Sequence, residues 1–364
     1  MGIAHRTTVF IPSHNEEDSL PTTLTSLLNR GFGRIVVVSD NSTDGTVQVA
    51  RSFGVDVFET VGNTDKKAGA LNQALSHYLP QMDESDFAFC IDADTSLGED
   101  FMTVAQSTFE DDPALVAIGG VFKGETPTNP LELAQFNEYA RYGREVERTK
   151  RTMVLSGTSS LMKVWILREI AKARGTLIPG TVGDYYDQKA LTEDNELTLA
   201  IKTLGYRVAS PEECSVTTEL MPTIRTLHNQ RVRWYRGALE NLYTYGLTKV
   251  TLRYWFQQFM LVWGSLMIAL LLVVTPSSIL MFGFQTSTFW LIITLIFLVE
   301  RTVTVWNRTT WQGRVMAILI VPELIYCILL YGAFLHGAAL SIIKVESQWH
   351  HVQKEDTNVQ RISA

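Results

Sequence analysis

The first 230 residues alternate between short apolar runs and longer segments in which apolar residues recur at helical spacing. The runs TTVFIP, RIVVVSD, VDVFETV, FAFCIDAD and LVAIGGVF are typical of strands. The segments between them, such as SLPTTLTSLLNR and GTVQVARSF, predict helices. This alternation predicts an α/β domain in which a largely parallel sheet is covered on both faces by helices.

The hydrophobic pattern changes in the last third of the chain. From Tyr254 to Val299 the sequence contains no acidic residue, basic residue or histidine. Because a membrane-spanning helix needs about 20 apolar residues, this stretch predicts two spans, at roughly 255–275 and 286–306. The break between them is expected near TPSS or QTST. A buried helical core is the alternative, but apolar runs this long are rare in soluble domains.

A second apolar stretch covers residues 315–343 and is interrupted only by Glu323 and His336. It predicts a third span, with a candidate kink at Pro322. Residues 344–364 are polar and predict a tail without a fixed structure.

The distribution of arginines predicts how the spans are oriented. Arg301, Arg308 and Arg314 lie close to the connection after the second span, whereas the turn between the first two spans carries no charge. Positively charged loops remain in the cytosol, and the N-terminal apolar run is too short for a signal peptide. We therefore expect a multi-pass protein of the plasma or inner membrane, with its folded domain in the cytosol and its C-terminus outside.

Composition excludes some classes of function. The 364 residues are 46% hydrophobic, which is sufficient for about two domains. The net charge of −7 argues against nucleic-acid binding. Cys90, Cys214 and Cys327 show no metal-binding or redox spacing, so we expect reduced cysteines that take part in packing.

Polar segments follow three of the predicted strands, namely PSHNEE, SDNSTDGT and DADTS. In sheets of this kind the ligand lies beyond the carboxyl ends of the strands. Asp92 and Asp94 are one residue apart, so their side chains point to the same side of an extended segment. Carboxylate oxygens suit a hard cation such as Mg²⁺ or Mn²⁺. Two such acids alone are commonly a solvated turn, but their place at the end of an apolar strand favours a metal site.

Seven motifs occur along residues 9–236: PSHNE, Asp40 with NSTDGT, KKAGALN, DAD, SGTSS, TED and QRVRW. Their order resembles that of family 2 glycosyltransferases, in particular the membrane-embedded branch that includes cellulose, chitin, hyaluronan and poly-N-acetylglucosamine synthases. The resemblance implies a GT-A type fold, in which a nucleotide-binding mixed sheet flanked by helices is fused to an acceptor-binding half. It also implies a UDP-sugar donor and a divalent cation, Mg²⁺ or Mn²⁺.

The resemblance implies a set of donor-binding residues. Asp40 would accept a hydrogen bond from the uracil or ribose, although its sequence also fits a turn or helix cap. Lys67 would offset phosphate charge at a helix N-terminus; a solvated surface lysine is the alternative. Ser39 stands where many relatives carry a second aspartate. The full predicted set is Pro12, Asn15, Glu16, Asp40, Lys67, Asp92, Gln230, Arg231 and Arg233, with Asp92 and Asp94 as metal ligands.

Asp194 of the TED motif is the predicted catalytic base. Sugar transfer to a hydroxyl needs a group that takes the acceptor proton as the new bond forms. Glu193 and Glu196 are nearby alternatives, and all three acids also fit a stabilising role at the start of a helix.

The segment QRVRWYRG places arginines beside aromatic residues just before the apolar stretch. Gln230, Arg233 and Trp234 match the motif; Arg231 is added because it is adjacent. Guanidinium groups suit a diphosphate leaving group, and the alternative is a membrane-interface anchor. The predicted acceptor-binding residues are Trp234, Ser156, Gly157, Thr158 and Glu193. Residues 131–151 predict an amphipathic helix without a site assignment.

The sequence therefore predicts four regions: a GT-A domain at 1–230, an interfacial segment at 231–254, membrane helices at 255–343 and the tail. The expected activity is inverting sugar transfer to a hydroxyl of a membrane-associated lipid or protein. A processive polysaccharide synthase, with a glycan acceptor, is the alternative. A non-catalytic membrane protein that binds nucleotide sugars is a second alternative from another class. The QxxRW motif favours a synthase, whereas the few polar residues in the apolar stretches favour short products.

Overall fold

The computed structural model describes residues 2–284 and 287–343; the predicted tail lies outside the described residues. Within these residues two short 3₁₀ turns, Ile3–Arg6 and Leu79–Gln81, accompany the strands and helices. The strands are β1 (Thr7–Ser13), β2 (Arg34–Ser39), β3 (Asp56–Glu59), β4 (Phe87–Ile91), β5 (Ser96–Leu97), β6 (Leu115–Gly119), β7 (Val121–Gly124), β8 (Ser159–Lys163), β9 (Arg207–Ala209) and β10 (Ser215–Thr218). The helices are α1 (Leu20–Leu27), α2 (Thr46–Ser52), α3 (Lys66–Tyr78), α4 (Phe101–Asp111), α5 (Pro130–Thr149), α6 (Val164–Ala173), α7 (Glu193–Thr203), α8 (Ile224–Tyr245), α9 (Leu252–Phe282), α10 (Thr288–Val305), α11 (Trp311–Ile318) and α12 (Ile320–Ile343).

The main sheet has seven strands in the order β3-β2-β1-β4-β8-β6-β9. The first four of these are parallel, with β1 paired to both β2 and β4. Strand β8 lies antiparallel between β4 and β6, so the sheet is mixed, as the family resemblance implies. The expected alternation of strands and helices is confirmed, and the carboxyl ends of β1, β2 and β4 lie along one edge of the sheet.

The prediction that LVAIGGVF forms a single strand is wrong. It forms two strands, β6 in the main sheet and β7 in a second sheet of order β5-β10-β7. The change of direction falls at Gly120, where a Cβ atom would lie only 1.9 Å from the Ser159 hydroxyl oxygen. A side chain at this turn would force the Ser159 hydroxyl to move, and apolar pattern alone does not reveal such a turn.

Apolar side chains pack on both faces of the main sheet because residues along a strand alternate in direction. Phe10 and Val36 face the layer that contains α3, α6 and α7, whereas Val9 and Ile11 face the layer of α1 and α4. Each fully buried side chain of this size contributes about 1.5–3 kcal/mol. The three cysteines are free, as predicted; two are buried and the third is half-buried.

Three helices among the described residues are long and apolar enough to cross a membrane: Leu252–Phe282, Thr288–Val305 and Val321–Ile343. The first continues through Pro276 and ends before Gly283, so the break lies near QTST and not at TPSS. Pro322 lies in the first turn of α12, where a missing N–H interrupts no helical hydrogen bond.

Helix α12 also packs against the α/β domain. Its Glu323 is buried and accepts two hydrogen bonds from Arg141 of α5, at 3.1 and 3.2 Å. Gly337 lies so close to α8 that a Cβ atom there would be 3.0 Å from the carbonyl oxygen of Val232. Helix α8 itself runs without interruption across residue 230, where the sequence predicts a domain boundary.

Candidate active site

An ionic cluster lies at the carboxyl edge of the main sheet. Lys67, in the first turn of α3, donates to a carboxylate oxygen of Asp92 at 2.6 Å and to the carbonyl of Gly157 at 3.0 Å. Its Nζ atom is also 3.0 Å from Glu193 at the start of α7. Burial acts to lower the pKa of Lys67, but the two carboxylates outweigh it and raise the pKa above its usual range. Lys67 is therefore a charged group shared by two acids, which excludes the alternative of a solvated surface lysine.

The two acids after β4 differ in their surroundings. Burial, together with the neighbouring Asp94, raises the pKa of Asp92 to about 6, although Lys67 acts in the opposite direction. Asp94 accepts from the Thr95 hydroxyl at 3.0 Å. Burial raises the pKa of Asp94, and the negative charge of Glu219 raises it further. The edge of the sheet thus carries excess negative charge that a cation would offset.

Asp194 lies beside this cluster in the first turn of α7. One carboxylate oxygen accepts from the backbone N–H of Gly157 at 2.9 Å, and the other accepts from its neighbour Asn195 at 2.7 Å. Burial raises the pKa of Asp194 to about 6, and the charge of Glu193 contributes in the same direction. A carboxylate that is held by backbone donors and has a pKa of about 6 has the properties of a general base.

The SGTSS segment connects these acids. A Cβ atom at Gly157 would lie 2.9 Å from an oxygen of Asp194, so glycine allows this approach without displacing the carboxylate. The hydroxyls of Ser156 and Thr158 are 2.6 Å apart, and the carbonyl of Thr158 accepts from the backbone N–H of Asp92 at 3.0 Å. These contacts position the acids; the acceptor roles assigned to the three residues stay predictions.

Asp40 follows β2, at the same edge of the sheet. One of its carboxylate oxygens accepts from the Thr60 hydroxyl and from the Asn63 amide, both at 2.8 Å. It does not cap α2, where Asp44 accepts from the backbone N–H of Thr46 at 3.0 Å. The helix-cap alternative for Asp40 is therefore wrong, and its nucleotide-binding role stays a prediction.

The segment after β1 is held against the segment after β2. Asn15 has a left-handed backbone, with φ of 57°, and its side-chain oxygen accepts from the backbone N–H of Thr43 at 2.8 Å. The backbone N–H of Glu16 donates to the Thr46 hydroxyl at 2.8 Å. Pro12 lies within β1 itself. The predicted donor residues of this segment thus lie at the sheet edge near Asp40.

The QRVRW motif lies on α8, which packs against α7. The charge of Arg233 acts on both Glu193 and Asp194 and counteracts the rise in pKa that their burial causes. The side-chain oxygen of Gln230 is buried without a hydrogen-bond partner among the described residues. The side chain of Trp234, the last residue of the motif, is half-buried. The motif therefore brings the guanidinium group of Arg233 close to the acids.

Arg231 has a different environment from its neighbours. Its side chain is 2% exposed and donates to Glu138 of α5 at 2.8 Å. Glu138 also accepts a hydrogen bond from Tyr326 of α12. The guanidinium lies 4.2 Å from the centre of the Trp234 ring. We correct its assignment from donor binding to helix packing, because its charge is neutralised at the contact between α5, α8 and α12.

Two residues near the cluster are absent from the predicted set of site residues. Glu219 follows β10 and acts on Asp94 electrostatically, but it belongs to none of the seven motifs. Lys66 precedes the motif lysine; burial lowers its pKa, and the charge of Arg233 lowers it further. Lys66 is the first residue of the KKAGALN motif, and the charge of Arg233 acting on it places it near α8.

The chain is similar in sequence and fold to known proteins. Residues 8–171 match the family model described as glycosyl transferase family 2. A poly-beta-1,6-N-acetyl-D-glucosamine synthase from Staphylococcus aureus is 27% identical over 242 residues, which is 65% of this chain and 55% of that protein. The enzyme of the same name from Staphylococcus epidermidis is 24% identical over 238 residues, 63% of this chain and 53% of that protein. The chain thus spans about half the length of these curated relatives.

Among solved structures, a mannosyltransferase from Pyrobaculum calidifontis, in complex with GDP-Man and Mn²⁺, has a TM-score of 0.58 and 18% sequence identity. The alignment covers 94% of this chain and 88% of that one. At this level of identity the likeness concerns the fold, and it confirms the GT-A type architecture.

Proposed function

Because the chain contains a family 2 glycosyltransferase domain over residues 8–171, we propose that it transfers a sugar from a UDP-sugar to a hydroxyl group of a membrane-associated acceptor. One observation supports this proposal above all. Asp194, Arg233 and the ionic cluster of Lys67, Asp92 and Glu193 lie together at one edge of the sheet. These groups come from β4, α3, α7 and α8, and no local sequence preference alone would bring them together.

The proposed reaction is a direct displacement at the anomeric carbon of the donor sugar. Asp194 accepts the proton of the acceptor hydroxyl while the hydroxyl oxygen forms its bond to that carbon. The bond from the carbon to the diphosphate oxygen breaks, and UDP departs with the electron pair. Inversion at the anomeric carbon follows from attack opposite to the leaving group, and Asp194 holds the proton afterwards.

Arg233, on α8, faces the negative charge that develops on the leaving diphosphate. A guanidinium group held in place before the reaction stabilises this charge without reorganisation. Lys67 sets the position of Asp92 and Glu193, so the acids near the donor remain ordered while the proton moves.

The residues present fit a divalent cation. Asp92 and Asp94 supply hard oxygen ligands, and the raised pKa of both reflects burial and like charge. In the described part of the chain no group of three or more histidine, cysteine, aspartate or glutamate side chains could hold a metal. Mg²⁺ is commonly bound by one or two carboxylates together with substrate phosphates and water. When bound there, Mg²⁺ or Mn²⁺ would neutralise diphosphate charge.

The relatives' printed name supports an N-acetylglucosaminyl or other hexosyl donor. It also favours a processive synthase as a second candidate. We propose short products because several of the few polar residues of the apolar stretches contact other parts of the protein or are buried. Glu323 binds Arg141, and His336 lies 2.9 Å from His228 of α8. Gln258 is buried, which leaves few polar side chains to line a path for a polymer.

The apolar helices support a membrane location, and we propose that the α/β domain faces the cytosol. A cysteine introduced at Asn307, between α10 and α11, should then resist an impermeant thiol reagent in intact cells and react once the cells are opened. Labelling of Asn307→Cys in intact cells would refute this orientation.

The activity is tested with the purified protein in lipid nanodiscs, incubated with acceptor lipid extract and a panel of UDP-sugars with Mn²⁺. We expect one donor to be consumed, with sugar recovered in short chains on lipid or protein, and EDTA to abolish transfer because the diphosphate charge is no longer neutralised. A high-molecular-weight ladder would establish the processive candidate instead. UDP binding without sugar transfer from any donor would favour the non-catalytic alternative.

A further inference from the structure

Helix α8 carries a row of residues spaced four apart that faces the start of α7. Residues at this spacing lie on one face of a helix. The row consists of Arg233, Gly237, Asn241 and Tyr245. Arg233 lies at its active-site end, and the other three contact residues on either side of Asp194.

Asn241 binds the segment directly before the base. Its side-chain amide donates to the carbonyl and the hydroxyl of Thr192, both at 3.2 Å, and to the side-chain oxygen of Asn195 at 3.0 Å. Asn241 is 4% exposed, and both partners are buried. A buried amide of this kind holds its partners in place, since leaving any of them without a hydrogen bond is costly.

Gly237 allows the two elements to approach closely. A Cβ atom at this position would lie 2.5 Å from the Thr192 hydroxyl oxygen and 2.7 Å from its methyl carbon. Both branches of the threonine are involved, so rotation of its side chain does not remove the clash. The distance between α8 and the TED segment therefore depends on the absence of a side chain at residue 237.

Tyr245 completes the row at the far end of α8. Its hydroxyl donates to Glu196 at 2.5 Å. Glu196 in turn accepts two hydrogen bonds from the fully buried Arg174, both at 2.8 Å. The first turn of α7 is thus held from two directions.

We propose that Gly237, Asn241 and Tyr245 are positioning residues that set the base Asp194 relative to Arg233. The inference rests on the proposed function, because it concerns the geometry of the same reaction. Arg233 and the three positioning residues belong to one rigid helix. A shift of α8 away from Thr192 therefore changes the distance between the leaving-group arginine and the base, while the donor site around Asp40 is untouched.

The test compares Gly237→Ala with the wild type, both as the full chain in nanodiscs. Since displacement of a reacting group by about 1 Å costs on the order of 10²-fold in rate, we expect kcat to fall about 10- to 100-fold. The affinity for UDP should fall much less than kcat does, because binding does not require the base and the contacts around Asp40 stay in place, although Arg233 moves with α8. Alanine favours helix more than glycine does, so loss of helix would not explain the defect.

Two further variants distinguish positioning from a general loss of stability. Thr192→Ala in the Gly237→Ala background removes the clashing atoms and should recover kcat at least threefold over Gly237→Ala alone. Asn241→Ala introduces no clash and should show the same pattern of reduced kcat with retained UDP binding. Gly332→Ala is the matched control, because a Cβ atom at this helical glycine of α12 meets nothing within 4 Å.

Unchanged kcat in folded Gly237→Ala and Asn241→Ala, with an active wild type, would overturn the inference alone. A parallel loss of UDP binding and thermal stability, without recovery by Thr192→Ala, would also overturn it in favour of a purely structural role. A wild type that transfers no sugar would refute the proposed function, and the inference with it.

Discussion

Asp194→Asn is expected to lower kcat about 10³-fold while the affinity for UDP changes by no more than a few-fold. The asparagine keeps the size of the side chain and retains an oxygen that accepts from the backbone N–H of Gly157, which the native carboxylate does at 2.9 Å. It cannot take the proton of the acceptor hydroxyl, so only the chemical step is affected. Initial rates with the best donor and calorimetric titration with UDP measure the two quantities.

The pH dependence of the wild type provides a second measure of the same group. Burial raises the pKa of Asp194 to about 6, and the base acts only when it is unprotonated. Activity should therefore reach its maximum above this pKa and fall as the pH decreases through about 6. In Asp194→Asn the residual activity should fall less steeply with decreasing pH.

Asp83→Asn is the control, because Asp83 is an exposed aspartate that precedes β4, at the opposite end of this strand from Asp92. Its rate should equal that of the wild type. Near-normal turnover by folded Asp194→Asn would refute the assignment of the base, and so would an equal loss of UDP affinity.

Lys67→Met is expected to reduce both thermal stability and transfer, the latter by more than about 10²-fold. The lysine is shared by Asp92 at 2.6 Å and Glu193 at 3.0 Å. Without it, two acids face each other in a poorly solvated site. Loss of one partner from a fully buried pair costs about 3–5 kcal/mol; we expect about 2–3 kcal/mol here because the side chains are partly exposed.

The sign of the pH effect follows from the acids that remain. Without the lysine, the pKa values of Asp92 and Glu193 in the folded protein should rise, so the folded state binds protons more tightly than the unfolded chain does. The destabilisation should therefore be complete above the raised pKa values and diminish as the pH falls through them.

Thermal unfolding of Lys67→Met and the wild type at several pH values measures this effect. Lys189→Met, at an exposed lysine, is the matched control. A destabilisation that does not change with pH would show that the charges of the two acids are not its cause.

The hydrophobic pattern was sufficient to predict β1 to β4, helices α1 and α2 and the apolar helices, because each depends on a local period; the short strands β5, β8, β9 and β10 were not predicted. It also placed DAD at the end of a buried strand, since a strand ends where its apolar run ends. The family resemblance of the motifs implied Asp194, Lys67 and Arg233 as candidates. It did not show that LVAIGGVF divides between two sheets, because that turn depends on the nearby Ser159 of β8.

Only the tertiary structure decided which charges meet. Lys67 and Glu193 are far apart in sequence but form one ionic cluster, because β4 and β8 bring α3 and α7 to the same edge of the sheet. Arg231 and Arg233 are two residues apart, and yet the first is neutralised by Glu138 on α5 whereas the second faces Glu193 and Asp194. The physical reason is that apolar periodicity acts between neighbours along the chain, whereas electrostatic interactions depend on distances in space that packing alone determines.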